Sequence, residues 1–109
     1  MPPYKPGDVV LVRFPFTSGA GSKQRPGLVI LDTGDDDLLV ARITTHSSST
    51  AFDVPVTDWR GAGLLAPSNV RLHKLATLEK SDIHRTLGHL LETDHQSVAL
   101  VLRRMLAQW

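Results

Sequence analysis

The chain contains no cysteine, which excludes disulfide bridges, thiolate metal sites and a cysteine nucleophile. It has no apolar run long enough to span a bilayer, and no charged-then-apolar leader opens it. A cytoplasmic protein in a reducing compartment, with no membrane association, is the simplest expectation from those absences. A dominant charge is lacking too. The formal net charge is +1, whereas nucleic-acid binders usually carry a basic stripe or a high pI. Local potential, not net charge, must carry any argument for a polyanionic partner. Repeats, low-complexity tracts and linkers are also missing. The 109 residues read as a single domain, 1–109, with one modest core.

What is present is sorted locally. Lys23, Arg25 and Arg42 cluster around the first strands, and Asp35-Asp36-Asp37 forms an acidic tip suited to a turn. β-Branched and apolar stretches predict strands at 9–14, 28–31, 38–45, 52–56 and 68–78, the last one interrupted or twisted near Lys74. Pro55 places the fourth of these at an edge or at its own end. Residues 85–90 fit either strand or helix, and Gly88 weakens the helical reading. Turn-rich loops occupy 15–24 and 59–64.

The tail predicts a helix. Thr93 and Gln96 have capping-box spacing, although Leu91 or Glu92 serves equally as the start. Val98, Val101, Leu102, Met105 and Leu106 give it one apolar face, and Trp109 reads as docking beside it. These elements describe a mainly β protein: a small, curved, SH3-like β-barrel of roughly five to seven strands with a C-terminal α-helix.

The chemistry begins at Arg25-Pro26. The proline ring pushes Arg25 towards an extended conformation, at the entrance of the strand Leu28-Val29-Ile30-Leu31. A guanidinium held there can make paired hydrogen bonds to a phosphate. Strand alternation then puts Arg42, Thr44 and His46 on one face, provided the third strand runs that far. Asn69, Arg71 and His73 share a face of the fifth strand by the same rule.

Such parts suit metal-free cleavage of RNA, in which the ribose 2′-hydroxyl attacks its own phosphorus. The protein must supply a base, a proton donor and cations for the phosphorane. Arg25 supplies charge, Thr44 a hydrogen bond to a non-bridging oxygen, and His73 or His46 a group that titrates near neutrality. The bland readings stand beside these. Arg25 can pair with a local carboxylate, and threonines are at home in strands. His84, His89 and His95 have no metal-ligand spacing and read as surface residues. Trp59, in a loop, is a candidate for partner contact.

The chain resembles the MazF/PemK (Kid-like) family of type II toxin endoribonucleases. The resemblance lies in Gly7-Asp8-Val9-Val10, Arg25-Pro26, Ile43-Thr44-Thr45, Ser68-Asn69-Val70-Arg71 and the helical tail. It implies a metal-independent, cofactor-free, sequence-selective endoribonuclease acting on single-stranded mRNA or rRNA and inhibiting growth. The implied products carry a 2′,3′-cyclic phosphate and a 5′-hydroxyl. Arg25 and Thr44 are the implied catalytic residues, with Arg71, His73 and His46 as helpers or acid/base groups. Lys23, Gln24, Arg42 and Thr45 are the expected RNA contacts. A homodimer, a cognate antitoxin, and operator DNA bound only as the toxin–antitoxin complex are the implied partners.

Two departures stand out. His73 occupies the place of the aspartate in the Arg-x-Asp pair of some members, and Phe14-Pro15-Phe16-Thr17-Ser18 differs from their Asp-Pro-Thr loop. A CcdB-like gyrase poison and a catalytically inactive SH3-like binding module are the alternatives on the same scaffold.

Overall fold

Runs such as Val9-Val10-Leu11-Val12 and Leu28-Val29-Ile30-Leu31 are apolar at every position, a pattern of strands covered on both faces. The computed structural model describes residues 3–13, 24–47 and 50–109. The strands are β1 (Asp8–Arg13), β2 (Gln24–Asp32), β3 (Asp37–Thr44), β4 (Asp53–Val56), β5 (Ser68–Glu79) and β6 (Ile83–His89). Helix α1 (Glu92–Leu106) follows. The strands form one antiparallel sheet in the order β4-β5-β3-β2-β1-β6. The expected barrel is therefore a curled sheet that does not close, because β4 and β6 remain its two edges.

Alternation divides the apolar residues between the two sides. Val9, Leu28, Ala41, Ile43, Val54 and Val70 pack with Val98 and Val101 of α1 in the main core. Their neighbours Val10, Val12, Val29, Leu38, Val40 and Leu78 form a smaller cluster on the reverse side. Residues 85–89 resolve as strand: β6 pairs with β1 through two register shifts. Gly88 belongs there because a Cβ would meet the Ala62 backbone at 2.6 Å, so the absent side chain lets the 58–64 loop lie against β6.

β2 is longer than the sequence suggests. Arg25 and Pro26 lie inside it, opposite Val12 and Leu11 of β1. The β2–β3 ladder ends at Gly27, next to the proline that has no N–H to donate. The break expected near Lys74 is a register jump. Ala41 faces Leu75 but Arg42 faces Arg71, so residues 72–74 are extra. Leu72 is buried there, with its N–H donating to the Phe52 carbonyl at 3.0 Å, while His73 and Lys74 face solvent.

The helix starts at Glu92, one of the two expected alternatives to a Thr93 start, and departs from expectation in its capping and at its C-terminal end. Leu91 is its N-cap and provides no side-chain cap, and Thr93 lies within the first turn, so no capping box forms. Buried Asp94 fastens that end instead, accepting from Thr57 Oγ1 at 2.7 Å and from the Asp58 N–H at 3.1 Å. Leu106 is exposed because, at 100° per residue, it falls on the rim of the stripe centred on Val98, Val101, Leu102 and Met105. Trp109 does not dock; it is fully exposed beyond the end of the helix.

The acidic tip works through its first neighbour. Asp32 is buried and paired with Lys80 Nζ at 2.8 Å, and it accepts the N–H groups of Gly34 and Tyr4. Burial alone would push the Asp32 carboxyl up, but Lys80 and those two N–H donors together hold it below its usual value of 3.8. The Thr33 hydroxyl and the Asp37 N–H lower Asp35 in the same way.

Two outcomes follow for stability. Asp94→Ala leaves the Thr57 hydroxyl and the Asp58 N–H without their acceptor and should cost about 1–3 kcal/mol in urea unfolding at pH 7. The stabilisation from Asp32 should be full above 3.8, its unfolded value, and fade as pH falls through the lower native value. The gap in unfolding free energy between wild type and Asp32→Asn should accordingly narrow between pH 5 and pH 2. A gap that does not change with pH would contradict this assignment.

Candidate functional site

The sheet brings charged residues together by register. Gly27 of β2 lies opposite Arg42 of β3, Arg42 opposite Arg71 of β5, and Arg71 opposite Asp53 of β4. Paired residues of antiparallel strands share a face. This row therefore crosses four strands on the side away from the main core, where Val54 and Val70 point. Two residues further along lies a second row, with Thr44 opposite Asn69 and Asn69 opposite Pro55. Arg25 is two residues from Gly27 and shares its face by alternation, at the same end of the sheet as Thr44. Arg25, Arg42, Thr44, Asn69 and Arg71 thus line one polar surface.

Local hydrogen bonds shape that surface. β3 stops at Thr44, and the His46 N–H turns back to donate to Thr44 Oγ1 at 3.2 Å. Asn69 Nδ2 donates to the His46 carbonyl at 2.9 Å. A threonine hydroxyl has two acceptor lone pairs and one proton, so Thr44 keeps its proton to donate outward. Arg42 and Arg71 are like charges directly across a strand pair, an arrangement that is unfavourable on its own. Asp53 offsets it. Its side chain is 2% exposed, and its Oδ1 accepts from Arg71 Nε at 3.2 Å. Its Oδ2 accepts from the Thr50 N–H at 3.0 Å and the Thr50 hydroxyl at 3.1 Å.

The histidines separate. His73 lies beside Arg71, with Nε2 3.5 Å from Arg71 Nη2 and Nδ1 4.0 Å from Asp53 Oδ1. The ring of Phe52 is tilted against it at 6.1 Å. His46 is beyond the end of β3, so the alternation that grouped it with Arg42 and Thr44 does not reach it. His89 pairs with Asp8 at 2.8 Å on β6 and β1, and His95 Nε2, on α1, lies 3.3 Å from the Pro6 carbonyl, so neither is in the row of β2, β3, β5 and β4.

The expected RNA contacts divide between locations. Arg42 is in the polar row. Gln24 alternates away from Arg25 and lines a small polar recess with Arg13, Ser81 and His84. Thr45 lies past the strand and lines an apolar groove of about 310 Å³ with Leu11, Pro26, Leu64 and Leu87. Leu11 and Pro26 alternate to the side opposite Val12 and Arg25, so this groove lies behind the polar surface. Lys23 and the loop Phe14-Pro15-Phe16-Thr17-Ser18 lie outside the described residues. Among the described residues no cluster of three His, Cys, Asp or Glu side chains could hold a metal ion.

Asp53 was missed in the sequence. Val54 and Val56 pointing inward turn Asp53 outward, which the alternation of 52–56 allows. That β4 pairs with β5, placing Asp53 opposite Arg71, is a long-range register that no local pattern encodes.

Arginines in excess over a single carboxylate, with a hydroxyl donor and an imidazole, make a surface for a phosphodiester and for proton transfer beside it. Comparison with known proteins identifies the family. Residues 5–106 match the family model described as the PemK-like, MazF-like toxin of type II toxin–antitoxin systems. Among solved structures, the Mycobacterium tuberculosis toxin MazF-mt6 is similar at 25% identity, with a TM-score of 0.73 over 92% of this chain and 94% of that one. A mycobacterial endoribonuclease in complex with its cognate antitoxin aligns at 18% identity and a TM-score of 0.73, covering 94% and 93% of the two chains. Another mycobacterial endoribonuclease aligns at 17% identity and a TM-score of 0.70, covering 93% and 88%. No curated protein matches the sequence significantly.

Proposed function

The chain belongs to the PemK-like, MazF-like toxins of type II toxin–antitoxin systems, and we propose that it is a metal-independent endoribonuclease for single-stranded RNA. The observation that carries this reading is the shared polar face: Arg25 and Thr44 beside each other, with Arg42, Arg71 and His73 along the same surface. The substrate brings its own nucleophile, so the protein needs only position, charge and proton transfer.

Arg25 neutralises the phosphorane as it forms, and the Thr44 proton holds a non-bridging oxygen. His73 exchanges the proton, because it adjoins Arg71 on the polar face while His46 lies past the strand. Cleavage this way leaves a 2′,3′-cyclic phosphate and a 5′-hydroxyl. Arg42 and Arg71 hold flanking phosphates, whereas Gln24 and Thr45 lie off this face. Cut-site preference arises from base-edge contacts beside this face. In the cell, a cytoplasmic homodimer held in check by its antitoxin, with operator DNA bound through that complex, fits the family.

A long synthetic RNA in excess EDTA tests the chemistry. Wild type should produce discrete cuts, and Arg25→Ala should reduce the single-turnover rate about 10²–10³-fold, as for loss of one main electrostatic donor. Undiminished cleavage by Arg25→Ala would remove that residue from the mechanism. RNA left intact by folded wild type, with DNA breaks in the presence of gyrase, would favour the CcdB-like alternative.

Binding provides an independent check. An uncleavable oligonucleotide carrying a 2′-deoxy sugar at the cut site should bind with salt-dependent affinity. Arg42→Ala should flatten the log–log salt slope by about 0.7, the contribution of one phosphate contact to a single strand. An unchanged slope would take Arg42 off the RNA path.

A further inference from the structure

We propose that Asp53 is the positioning residue of this site, orienting His73 so that its Nε2 faces the polar surface as the proton-exchanging atom. The inference rests on the ribonuclease reading for its consequence but on geometry alone for its content. A carboxylate only 2% exposed, on an edge strand, is held at both oxygens. Thr50 fixes Oδ2 through its N–H and its hydroxyl. That leaves Oδ1 aimed at β5, where it receives Arg71 Nε at 3.2 Å and faces His73 Nδ1 at 4.0 Å. The extra residues of β5 at 72–74 are what bring His73 back towards Asp53, two positions after Arg71.

The chemistry of the neighbours then selects the form of the imidazole. Arginine nitrogens only donate. The His73 Nε2 that lies 3.5 Å from Arg71 Nη2 must therefore present its lone pair, which puts the ring proton on Nδ1, facing the Asp53 carboxylate. A neutral imidazole with its lone pair on Nε2 becomes a base once a substrate phosphate draws Arg71 Nη2 away from it. When it does so, the resulting imidazolium beside Arg71 is balanced by Asp53. The proton taken at Nε2 from the 2′-hydroxyl is then available to the departing 5′-oxygen or to water, and the imidazole returns to its starting form. The β5 sequence Arg71-x-His73 has no carboxylate of its own; β4 supplies it from the neighbouring strand. A purely structural Asp53 would hold Arg71 at the sheet edge without fixing the His73 tautomer.

Two measurements decide between these roles. Long-range ¹⁵N–¹H spectra of the wild-type protein, at a pH where His73 is neutral, read its tautomer directly. The proposal requires Nδ1–H, and a predominant Nε2–H form would overturn it. This reading needs neither a variant nor ribonuclease activity. In parallel, single-turnover cleavage by Asp53→Asn, His73→Gln and the double variant forms a cycle. Asp53→Asn should slow wild type about 10–100-fold but change the His73→Gln rate less than about 3-fold. Equal losses in both backgrounds would overturn the role of Asp53 acting through His73. RNA untouched by folded wild type would instead reject the ribonuclease reading, and the tautomer would then decide alone: loss of Nδ1–H in Asp53→Asn supports orientation of His73 by Asp53, and its retention there overturns it.

Discussion

The pairing of β3 with β5 is the constraint on which the rest depends. β3 is the strand that joins the two halves of the sheet, with β2 on one side and β5 on the other. Its register with β5 shifts once, between Ala41 and Arg42. Before the shift, the pairing places Leu38 and Val40 opposite Leu78 and Ala76, so the ladder encloses the smaller apolar cluster. After it, the same face carries Arg42 and Thr44 opposite Arg71 and Asn69. One irregularity thus lies where an apolar surface gives way to a cationic one. A slip of a single residue would exchange the faces, burying arginines against α1 and exposing Ile43 and Val70.

Local patterning made much of this legible. The strands were visible because Val, Ile and Leu runs need cover on both sides, and the helix because its apolar residues recur at three and four. Arg25, Thr44 and Arg71 were recognisable from proline stiffening and strand parity. What escaped was non-local. Asp53 becomes relevant only through a partner eighteen residues away in sequence, across a β4–β5 register set by Val54 and Val56 entering the core. The anchoring of the helix by Asp94 escaped for the same reason: its partners, Thr57 and Asp58, sit in the loop after β4. The expected docking of Trp109 failed because the residue lies beyond the last helical turn, where it is fully exposed.

The polar face also shows how a protein of nearly neutral net charge can attract a polyanion. Three of its acidic residues are used elsewhere: Asp32 against Lys80, Asp94 under the helix, Asp8 beside His89. The carboxylate that remains among the arginines is engaged by Thr50 and Arg71 and hidden from solvent. Local potential is set by how charges are distributed over a surface, and strand register makes that distribution here.

β4 adds a property of a different kind. It is the outer strand on this side of the sheet, only four residues long, and Pro55 removes one of its backbone donors. An edge so short and incomplete is a poor template for a strand from another molecule. The side of the sheet that carries Asp53 is therefore resistant to growth by strand addition, and the cationic face beside it stays open to a flexible chain while fibrillar self-association is disfavoured.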